Sequence, residues 1–378
     1  MQFPTRLVLI LSSLFGAIPC LHALEKPGTT YQVFQFPTDK IPRIDGNTDD
    51  WAMVPESYVV GTDQLHNEKN RQNPERSKTL DVRVKVGWVK GLNRLYFLYE
   101  ANDDYWDFSR PDLHNDTFEL VVDGDASGGP LLDKGETRSW TPAEVGESTA
   151  HDDDRISANE AHWVSHGVQA QNYHIFTPAL NKDWAMAWGS PTWIKDFPWA
   201  NAAYAYNFKP GEAGKLVLEF WITPFDYAGP EGPQRAVESV LTENKILGLA
   251  WAIIDYDDVN AKGSAGFWNL SPKHTMFGQA SELCAFKLMP MEPALQPKLA
   301  AQWTWKIVDM DRRLVAFKDT SVGTITTWKW DFGDGASSTE QNPQHVYAQP
   351  GKYITILDVT GPDGTSRRSK IWEVQLRK

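Results

Sequence analysis

The sequence predicts an all-β protein built from two β-sandwich domains. Short segments of alternating apolar and polar residues recur along the 378-residue chain, and clusters of Gly, Pro and Asp separate them. A proline-rich stretch after residue 289 separates two groups of such segments. Residues 328–332 alternate and end in Gly333-Asp334-Gly335, which is a tight-turn signal because glycine accepts positive φ. No heptad pattern or internal repeat is present.

The strand predictions concentrate in the first part of the chain. Pro224 ends one of the segments because it cannot donate to a ladder, and residues 231–241 are the one predicted helix. The predicted strands are residues 82–86, 95–99, 117–122, 215–222 and 247–254.

The chain divides into four parts on these signals. Residues 1–23 have Arg6, an apolar run and a small residue at Ala23, a pattern typical of a cleaved secretory leader that is too short to anchor in a bilayer. Residues 24–289 form the first domain, residues 290–303 a Pro-rich linker, and residues 304–378 the second domain. The protein is therefore expected to be secreted, to the periplasm or beyond, without a membrane span.

Composition excludes some partners and favours others. A formal net charge of −12 argues against a nucleic-acid partner, which calls for a basic surface. Seventeen tryptophans are many for this length, and we expect most in the core and a few as stacking platforms. Cys284 is the one cysteine after the leader, so no intrachain disulfide is expected, and its apolar neighbours predict a buried, inert thiol.

The C-terminal segment carries an ordered set of short motifs. Trp328-Lys329-Trp330-Asp331-Phe332-Gly333-Asp334-Gly335 is followed by Asn342-Pro343, His345-Val346-Tyr347 and Pro350-Gly351-Lys352-Tyr353. This order resembles a polycystic-kidney-disease (PKD) domain, a small immunoglobulin-like sandwich that usually serves as an accessory module outside cells. Asp331 and Asp334 are expected to fix the turn through hydrogen bonds to backbone amides.

The first domain carries a second set of motifs over residues 35–290. Ile44-Asp45-Gly46 precedes Trp51, a strand leads to Asp103-Asp104, and Asp116-Thr117-Phe118-Glu119 opens a strand that ends at Asp123. Trp268 and Phe277-Gly278 come near its end. This order is similar to family 9 carbohydrate-binding modules. The resemblance implies a larger jelly-roll or immunoglobulin-like sandwich that binds an oligo- or polysaccharide without catalysis.

The resemblance also implies that tryptophans clasp the sugar. An indole offers a flat apolar face to the C–H groups of a pyranose, and neighbouring polar groups select its hydroxyls. Trp268 matches the late tryptophan of the family. Leu113 stands where the family tends to have its early ring, and Trp106 is the candidate to replace it.

An insertion at about residues 160–210 matches no part of the family. It is rich in aromatic residues with irregular, proline-interrupted spacing, which favours a loop wall. This wall either lines the sugar site, with Trp188 and Trp193 as candidates, or covers one end of the sandwich. His162, His166 and His174 also fall here, but no nearby motif makes them a zinc site.

A metal site is predicted at the end of one strand. Asp123-Gly124-Asp125 places carboxylates two residues apart with glycines that let the chain curl, as calcium loops do. Lys134 at the twelfth position excludes an EF-hand. Relatives in family 9 commonly hold structural calcium, so the resemblance implies Ca²⁺ at Asp123 and Asp125, with a plain acidic turn as the alternative.

Two other functions remain open from the sequence. A glycoside hydrolase needs two carboxylates about 5–10 Å apart, and nothing pairs the available acids. Those acids are Asp103, Asp104, Glu119, Asp255 and Asp257. An adhesion or structural protein without a small ligand is the other alternative.

Overall fold

The structure is a computed structural model. The chain divides into two compact units, Met1–Met291 and Glu292–Lys378. The described residues are 25–68, 79–110, 115–127, 134–135, 137, 139–141, 155–176, 178 and 183–374. The predicted leader lies outside them. Strands are numbered β1 to β22 in chain order.

Two sheets build the first unit. The first sheet has β1 (Glu25–Phe36), β3 (His66–Asn67), β6 (Thr117–Asp123), β7 (Gln171–Phe176), β8 (Ala185–Ala187), β13 (Ile246–Asp255), β14 (Gly266–Asn269) and β15 (Cys284–Leu288). Its order is β8-β7-β6-β13-β15-β1, with β14 beside β13 and β3 beside β14. The second sheet has β2 (Val60–Gly61), β4 (Asp81–Val89), β5 (Leu95–Asp103), β9 (Ala200–Tyr206) and β10 (Gly214–Ile222). Its order is β1-β4-β5-β10-β9, with β2 beside β4.

β1 joins the two sheets. Its earlier residues pair in parallel with β15, and residues 34–36 pair in parallel with β4. A short antiparallel pair, β11 (Phe225–Tyr227) and β12 (Val237–Glu238), lies apart from both sheets. The helix is α1 (Ala158–Ser165).

Strand alternation builds the core between the sheets. Because successive side chains point to opposite faces of a strand, every second residue of β6, β10 and β13 enters one cluster. Phe97 of β5 stacks on Phe220 of β10 with centroids 4.6 Å apart and an interplanar angle of 3°. The all-β prediction is confirmed, and Cys284 is buried in the same core.

The outer face of the second sheet buries Glu219 of β10. Trp51 Nε1 donates to its Oε1 at 2.8 Å, and the amide of Gly46 donates to its Oε2 at 2.7 Å. Gly46 has φ +82°, a backbone conformation that favours glycine, and a Cβ there would make a tight contact of 3.1 Å with the Tyr204 backbone. The Ile44-Asp45-Gly46 and Trp51 motif is therefore an N-terminal flap that satisfies a buried carboxylate.

Three local predictions differ from the structure. Residues 231–241 contain turns and β12 instead of a helix. The real helix is α1, whose N-cap Ser157 exchanges hydrogen bonds with Glu160 in a capping box. The insertion is only partly a loop wall, because it supplies β7 and the edge strand β8 at one end of the first sheet, and the edge strand β9 of the second sheet. Tertiary pairing thus overrides its irregular aromatic spacing.

The second unit is a smaller sandwich. One sheet pairs β16 (Trp303–Asp309), β17 (Leu314–Asp319) and β20 (Gln344–Val346). The other has β18 (Thr327–Asp331), β19 (Ser337–Ser338), β21 (Gly351–Gly361) and β22 (Gly364–Val374) in the order β19-β18-β21-β22. Trp303, Trp330 and Tyr347 fill its core, and the two indoles meet edge to face with centroids 5.7 Å apart.

The Gly333-Asp334-Gly335 turn has the predicted chemistry. Asp331 Oδ1 accepts from the Gly333 amide at 2.9 Å, and Asp334 Oδ1 accepts from the Ala336 amide at 3.1 Å. A Cβ on Gly333 would lie 2.6 Å from the carbonyl oxygen of Ile354, so the turn packs directly on β21. Its two aspartates therefore act on the backbone.

No helix among the described residues is long and apolar enough to cross a membrane.

Trp51→Phe tests the flap. The substitution leaves a buried carboxylate oxygen without its indole donor, and such losses cost about 1.5–3 kcal/mol when a charged group is involved. The matched control is Trp251→Phe, because Trp251 is equally buried and its Nε1 has no hydrogen-bond partner in the described structure. Urea unfolding should show Trp51→Phe as the more destabilising change by about that amount; equal losses would contradict a stabilising role for the hydrogen bond.

Candidate functional site

A cavity of about 650 Å³ opens on the outer face of the first sheet. Its floor comes from the outward residues of adjacent strands, because Glu119 of β6 lies opposite His174 of β7 in the ladder. Asn172 lies two residues before His174 on the same face, and Ile254 and Phe267 pair across β13 and β14. The strand alternation that sends Phe118 and Leu120 into the core thus sends Glu119 into the cavity.

α1 and two loops form the wall of the cavity. Helical spacing brings His162, Trp163 and the C-cap residue His166 to the cavity, and the loop after β8 brings Trp188 beside them. Gly189 allows this approach, because a Cβ there would lie 1.8 Å from the carbonyl oxygen of His166. The wall therefore depends on a backbone contact that only glycine permits.

Aromatic rings line much of the wall. Trp163 stacks on Trp188 with centroids 5.4 Å apart and an interplanar angle of 17°, and His166 stacks on Phe277 with centroids 5.7 Å apart. Trp163 is 36% exposed. The Lys134 ammonium lies 3.9 Å from the centroid of the Trp163 ring, so one face of this indole contacts an exposed cation.

Glu119 is the acidic group of the floor. Asn172 Nδ2 donates to its Oε1 at 3.1 Å, and His274 Nε2 lies 3.3 Å from its Oε2. His174 Nε2 lies 3.7 Å from Oε1. Burial by itself raises the pKa of Glu119, but the neighbouring His174, His274 and Asn172 outweigh it and hold that pKa below its usual value. The floor therefore carries a carboxylate that stays ionised.

Burial favours the neutral form of two histidines beside the cavity, His166 and His174. Burial lowers the pKa of His166 to about 4, with a further contribution from His162, and burial also lowers the pKa of His174. Trp188 Nε1 donates to His174 Nε2 at 3.3 Å. Both ring nitrogens of His166 and Nδ1 of His174 are buried without a hydrogen-bond partner in the described structure. Unsatisfied polar atoms beside a cavity leave hydrogen-bonding capacity for water or a ligand.

The structure separates the four tryptophans predicted to stack on a sugar. Trp188 lines the cavity. Trp106 is 1% exposed, stacks on Phe208 and donates its Nε1 to the carbonyl of Gly214, so it is a core residue. Trp268 is 4% exposed, because its position in β14 points its ring into the core. Trp106 and Trp268 are therefore buried side chains and do not form the predicted two-ring clasp.

Trp193 also lies away from the cavity. It is half-buried on a 3₁₀ turn, where Nε1 donates to Gly229 O at 3.2 Å and the ring meets Trp199 and Phe225 edge to face. Trp188 of the insertion thus lines the cavity, while other rings of the insertion pack against the main core.

Sequence reasoning missed Trp163 and the grouping of the histidines. The available signal was Ser157 followed by Glu160, a capping box that predicts a helix start and hence a shared face for His162, Trp163 and His166. His274 comes from a distant loop, and nothing local predicts its contact with Glu119.

A second feature of the first unit is a cluster of aspartates. Each of Asp103, Asp116 and Asp255 offers a carboxylate oxygen, and these three buried oxygens all lie within 4.8 Å of one another. A second such group shares Asp103 and adds the exposed Asp104 and Asp257. Oxygen-only donors at this spacing are the set that a hard divalent cation prefers.

Burial and like charge act together on this cluster. Burial, followed by the neighbouring Asp255, raises the pKa of Asp103 to about 8. Burial and then Asp257 raise the pKa of Asp255 to about 7, and burial with Asp255 raises the pKa of Asp116 well above its usual range. Without a positive charge among them, the three groups therefore compete for protons.

The calcium ligands predicted from the sequence occupy another place. Asp123 Oδ1 accepts from the Asp125 amide at 3.3 Å, and Asp125 Oδ1 accepts from the Ser127 amide at 2.9 Å. Neither residue belongs to the groups of clustered acids among the described residues. Asp123 and Asp125 thus have the geometry of a plain acidic turn.

Comparison with solved structures finds a likeness for each unit. A family 9 carbohydrate-binding module from Caldicellulosiruptor kristjanssonii, solved with glucose, is similar over 71% of this chain and 100% of its own length, at 12% identity and a TM-score of 0.41. The PKD1 domain of the Vibrio cholerae metalloprotease PrtV is similar over 21% of this chain and 98% of its own, at 28% identity and a TM-score of 0.19.

Comparison with protein families concerns the second unit. Collagenase ColQ1 of Bacillus cereus is 46% identical over 48 residues, which are 13% of this chain and 5% of that enzyme. The match therefore spans a small fraction of the relative's length. The family model of the PKD domain matches residues 302–376, which confirms the C-terminal resemblance.

Proposed function

We propose that the first unit binds a carbohydrate, without catalysis, in the cavity over Glu119. The observation that carries the proposal is the pairing of an indole wall with a buried, ionised carboxylate in one open cavity. Most sugar-binding sites combine an apolar platform with a few oriented polar groups, because a sugar ring has both kinds of surface.

The wall supplies the apolar platform. Trp163 and Trp188 brace each other by stacking, and Phe267 and Phe277 line the same cavity. Braced rings lose little side-chain entropy when a ligand binds, so stacking on sugar C–H groups is favoured. The 36% exposure of Trp163 leaves ring surface for this contact.

The floor supplies the hydroxyl acceptors and donors. A carboxylate accepts two or more hydrogen bonds, and vicinal hydroxyls of a sugar match its two oxygens. Asn172 and His274 hold Glu119 in place, which pre-organises the acceptor before a ligand arrives. Lys134 also lines the cavity. Because its ammonium group is positively charged, the ligand panel should include acidic sugars.

A hydrolase is less well supported by the same cavity. Glycosidases use two carboxylates flanking the bond to be cleaved. Glu119 is the acidic residue among the described residues that line the cavity, and the aspartates suggested as its partners belong to the separate cluster. The proposal is therefore a binding protein, with the PKD domain as an accessory.

Secretion belongs to the same proposal. The basic residue, apolar run and small residue at the start of the chain support export. Mass spectrometry of protein recovered from the periplasm or medium is expected to find a chain that begins at Leu24. Recovery only inside the cell, with residues 1–23 attached, would contradict export.

Trp163→Ala tests the binding site. We expect affinity for the best oligosaccharide of a neutral and acidic glycan panel to fall at least tenfold by isothermal titration, because ring stacking and the brace of Trp188 are lost. The control is Trp305→Ala in the second unit, which is 39% exposed and should leave affinity unchanged. No binding to any glycan by the parent, or equal affinity in both variants, would contradict the proposed site.

Acid should destabilise the wall of the cavity. The pKa of His166 is about 4 in the folded protein against an ordinary value of 6.5, so between these values the ring is neutral when folded and protonated when unfolded. Stability is therefore lost as pH falls from about 6.5 towards 4, by about 2 kcal/mol at pH 5.

His166→Phe removes this titration and keeps a ring against Phe277 and Trp188. Four other charged or titratable groups face this position: Glu119, His162, His174 and Lys134. Urea unfolding between pH 8 and pH 5 should therefore compare the stability of His166→Phe with that of the parent protein at each pH. The variant should lose less stability than the parent over that interval. Parallel pH profiles would show that His166 is not the sensitive group.

A further inference from the structure

We propose that the cavity over Glu119 selects sugars that carry a protonated amino group, such as the glucosamine units of a glycan. This inference rests on the proposed carbohydrate-binding function and adds the charge of the ligand to it. Three features of the cavity carry it: a buried carboxylate, two hydrogen-bond acceptors that face each other, and a wall of aromatic rings. Each of them favours a cation that donates several hydrogen bonds.

Glu119 sets the sign of the charge at the floor. It is 2% exposed, and it is the acidic side chain among the described residues that line the cavity. Burial raises its pKa, but His174, His274 and Asn172 together hold that pKa below its usual value, so the group is ionised at neutral pH. A neutral sugar offers hydrogen bonds to this carboxylate without a countercharge, whereas an ammonium group offers both.

Two hydrogen-bond acceptors face each other beside this charge. Trp188 Nε1 donates to His174 Nε2 at 3.3 Å, so this nitrogen is an acceptor and the proton of the neutral ring lies on Nδ1. The same Nε2 lies 3.7 Å from Glu119 Oε1, which is beyond hydrogen-bond distance. An ammonium group has three donors and no acceptor, so one such group can donate to both atoms. A hydroxyl has one hydrogen and can donate to one of them.

The wall of the cavity also suits a cation. The face of an aromatic ring carries partial negative charge and attracts a cation that lies over it. The protein already shows one such contact, because the Lys134 ammonium lies 3.9 Å from the centroid of the Trp163 ring. Four aromatic side chains line the cavity: Trp163, Trp188, Phe267 and Phe277.

Lys134 defines the opposite preference, because its ammonium could receive the carboxylate of an acidic sugar. The two charges differ in their surroundings, since Lys134 is exposed and Glu119 is buried. Water and salt screen an exposed charge much more than a buried one. The buried carboxylate is therefore expected to decide the preference, and the like charge of Lys134 is expected to weaken the binding of a cationic sugar.

Isothermal titration of the full chain at pH 7 with three matched trisaccharides tests the inference. The first consists of glucosamine, the second of glucose with the same linkage, and the third of glucuronic acid with that linkage. The second has a hydroxyl in place of each amino group, and the third adds carboxylates. We expect the glucosamine ligand to bind more tightly than the other two by about tenfold, because it brings an ammonium group to Glu119.

Two variants change the charges of the cavity. Glu119→Gln keeps the shape of the side chain and should lower the affinity for the glucosamine ligand by about tenfold, with a smaller loss for the glucose ligand. Lys134→Gln should raise the affinity for the glucosamine ligand by about threefold, because a like charge is removed. Lys209→Gln is the control, since Lys209 is exposed and does not line the described cavity, and it should leave all three affinities unchanged. Because Lys134 is exposed, its variant decides if Glu119→Gln does not fold.

The outcomes separate this inference from the proposed function. Tightest binding of the glucose or glucuronic acid ligand would overturn the amino-sugar preference and leave the sugar site standing, as would weaker binding of glucosamine by Lys134→Gln. A simple alkylammonium ion that binds as tightly as the glucosamine ligand would overturn it too, because the cation without a sugar would then be sufficient. Failure of every sugar to bind would overturn the proposed function itself.

Discussion

The structure of the first unit depends on β6 being covered on both of its faces. Its inward residues fill the core between the sheets, while its outward residues lie beneath α1 and the loop that carries His274. A strand in that position cannot expose a polar side chain to bulk water, so Glu119 needs partners supplied by neighbouring elements. Asn172, His174 and His274 meet that need incompletely, and an open cavity remains above them.

The two sheets offer a useful contrast, because each buries one glutamate on its outer face. Glu219 accepts hydrogen bonds from the indole of Trp51 and from the amides of Asp45 and Gly46. Glu119 instead faces a space bounded by stacked rings and by histidine nitrogens without partners. The open cavity with its unpartnered histidine nitrogens, more than burial itself, distinguishes the setting of Glu119 from that of the structural Glu219.

Much of the fold follows from local patterns. The alternation of apolar and polar residues predicts β4, β5, β6, β10 and β13, because burial with a period of two residues is visible within a single segment. The Gly333-Asp334-Gly335 turn predicts the second sandwich, because the glycines that allow positive φ are visible there too. The prediction of a helix over residues 231–241 is wrong, and α1 was overlooked although its capping box is visible at Ser157 and Glu160. The tryptophans were the least predictable, since indoles serve a core and a ligand equally well. The parity of β14 placed Trp268 in the core, and contacts with Phe208 and the carbonyl of Gly214 placed Trp106 there.

The sequence by itself determined the all-β class, the two-domain order and the PKD segment, because these depend on periodicity and turn chemistry. Tertiary structure alone decided which residues meet. Glu119 reaches His274 across 155 positions, and Asp103 reaches Asp255 across a similar separation. No local signal encodes such contacts, since they result from the register of β6 against β7 and β13 and from the packing of loops at the strand ends. The cavity and the aspartate cluster are both products of that register.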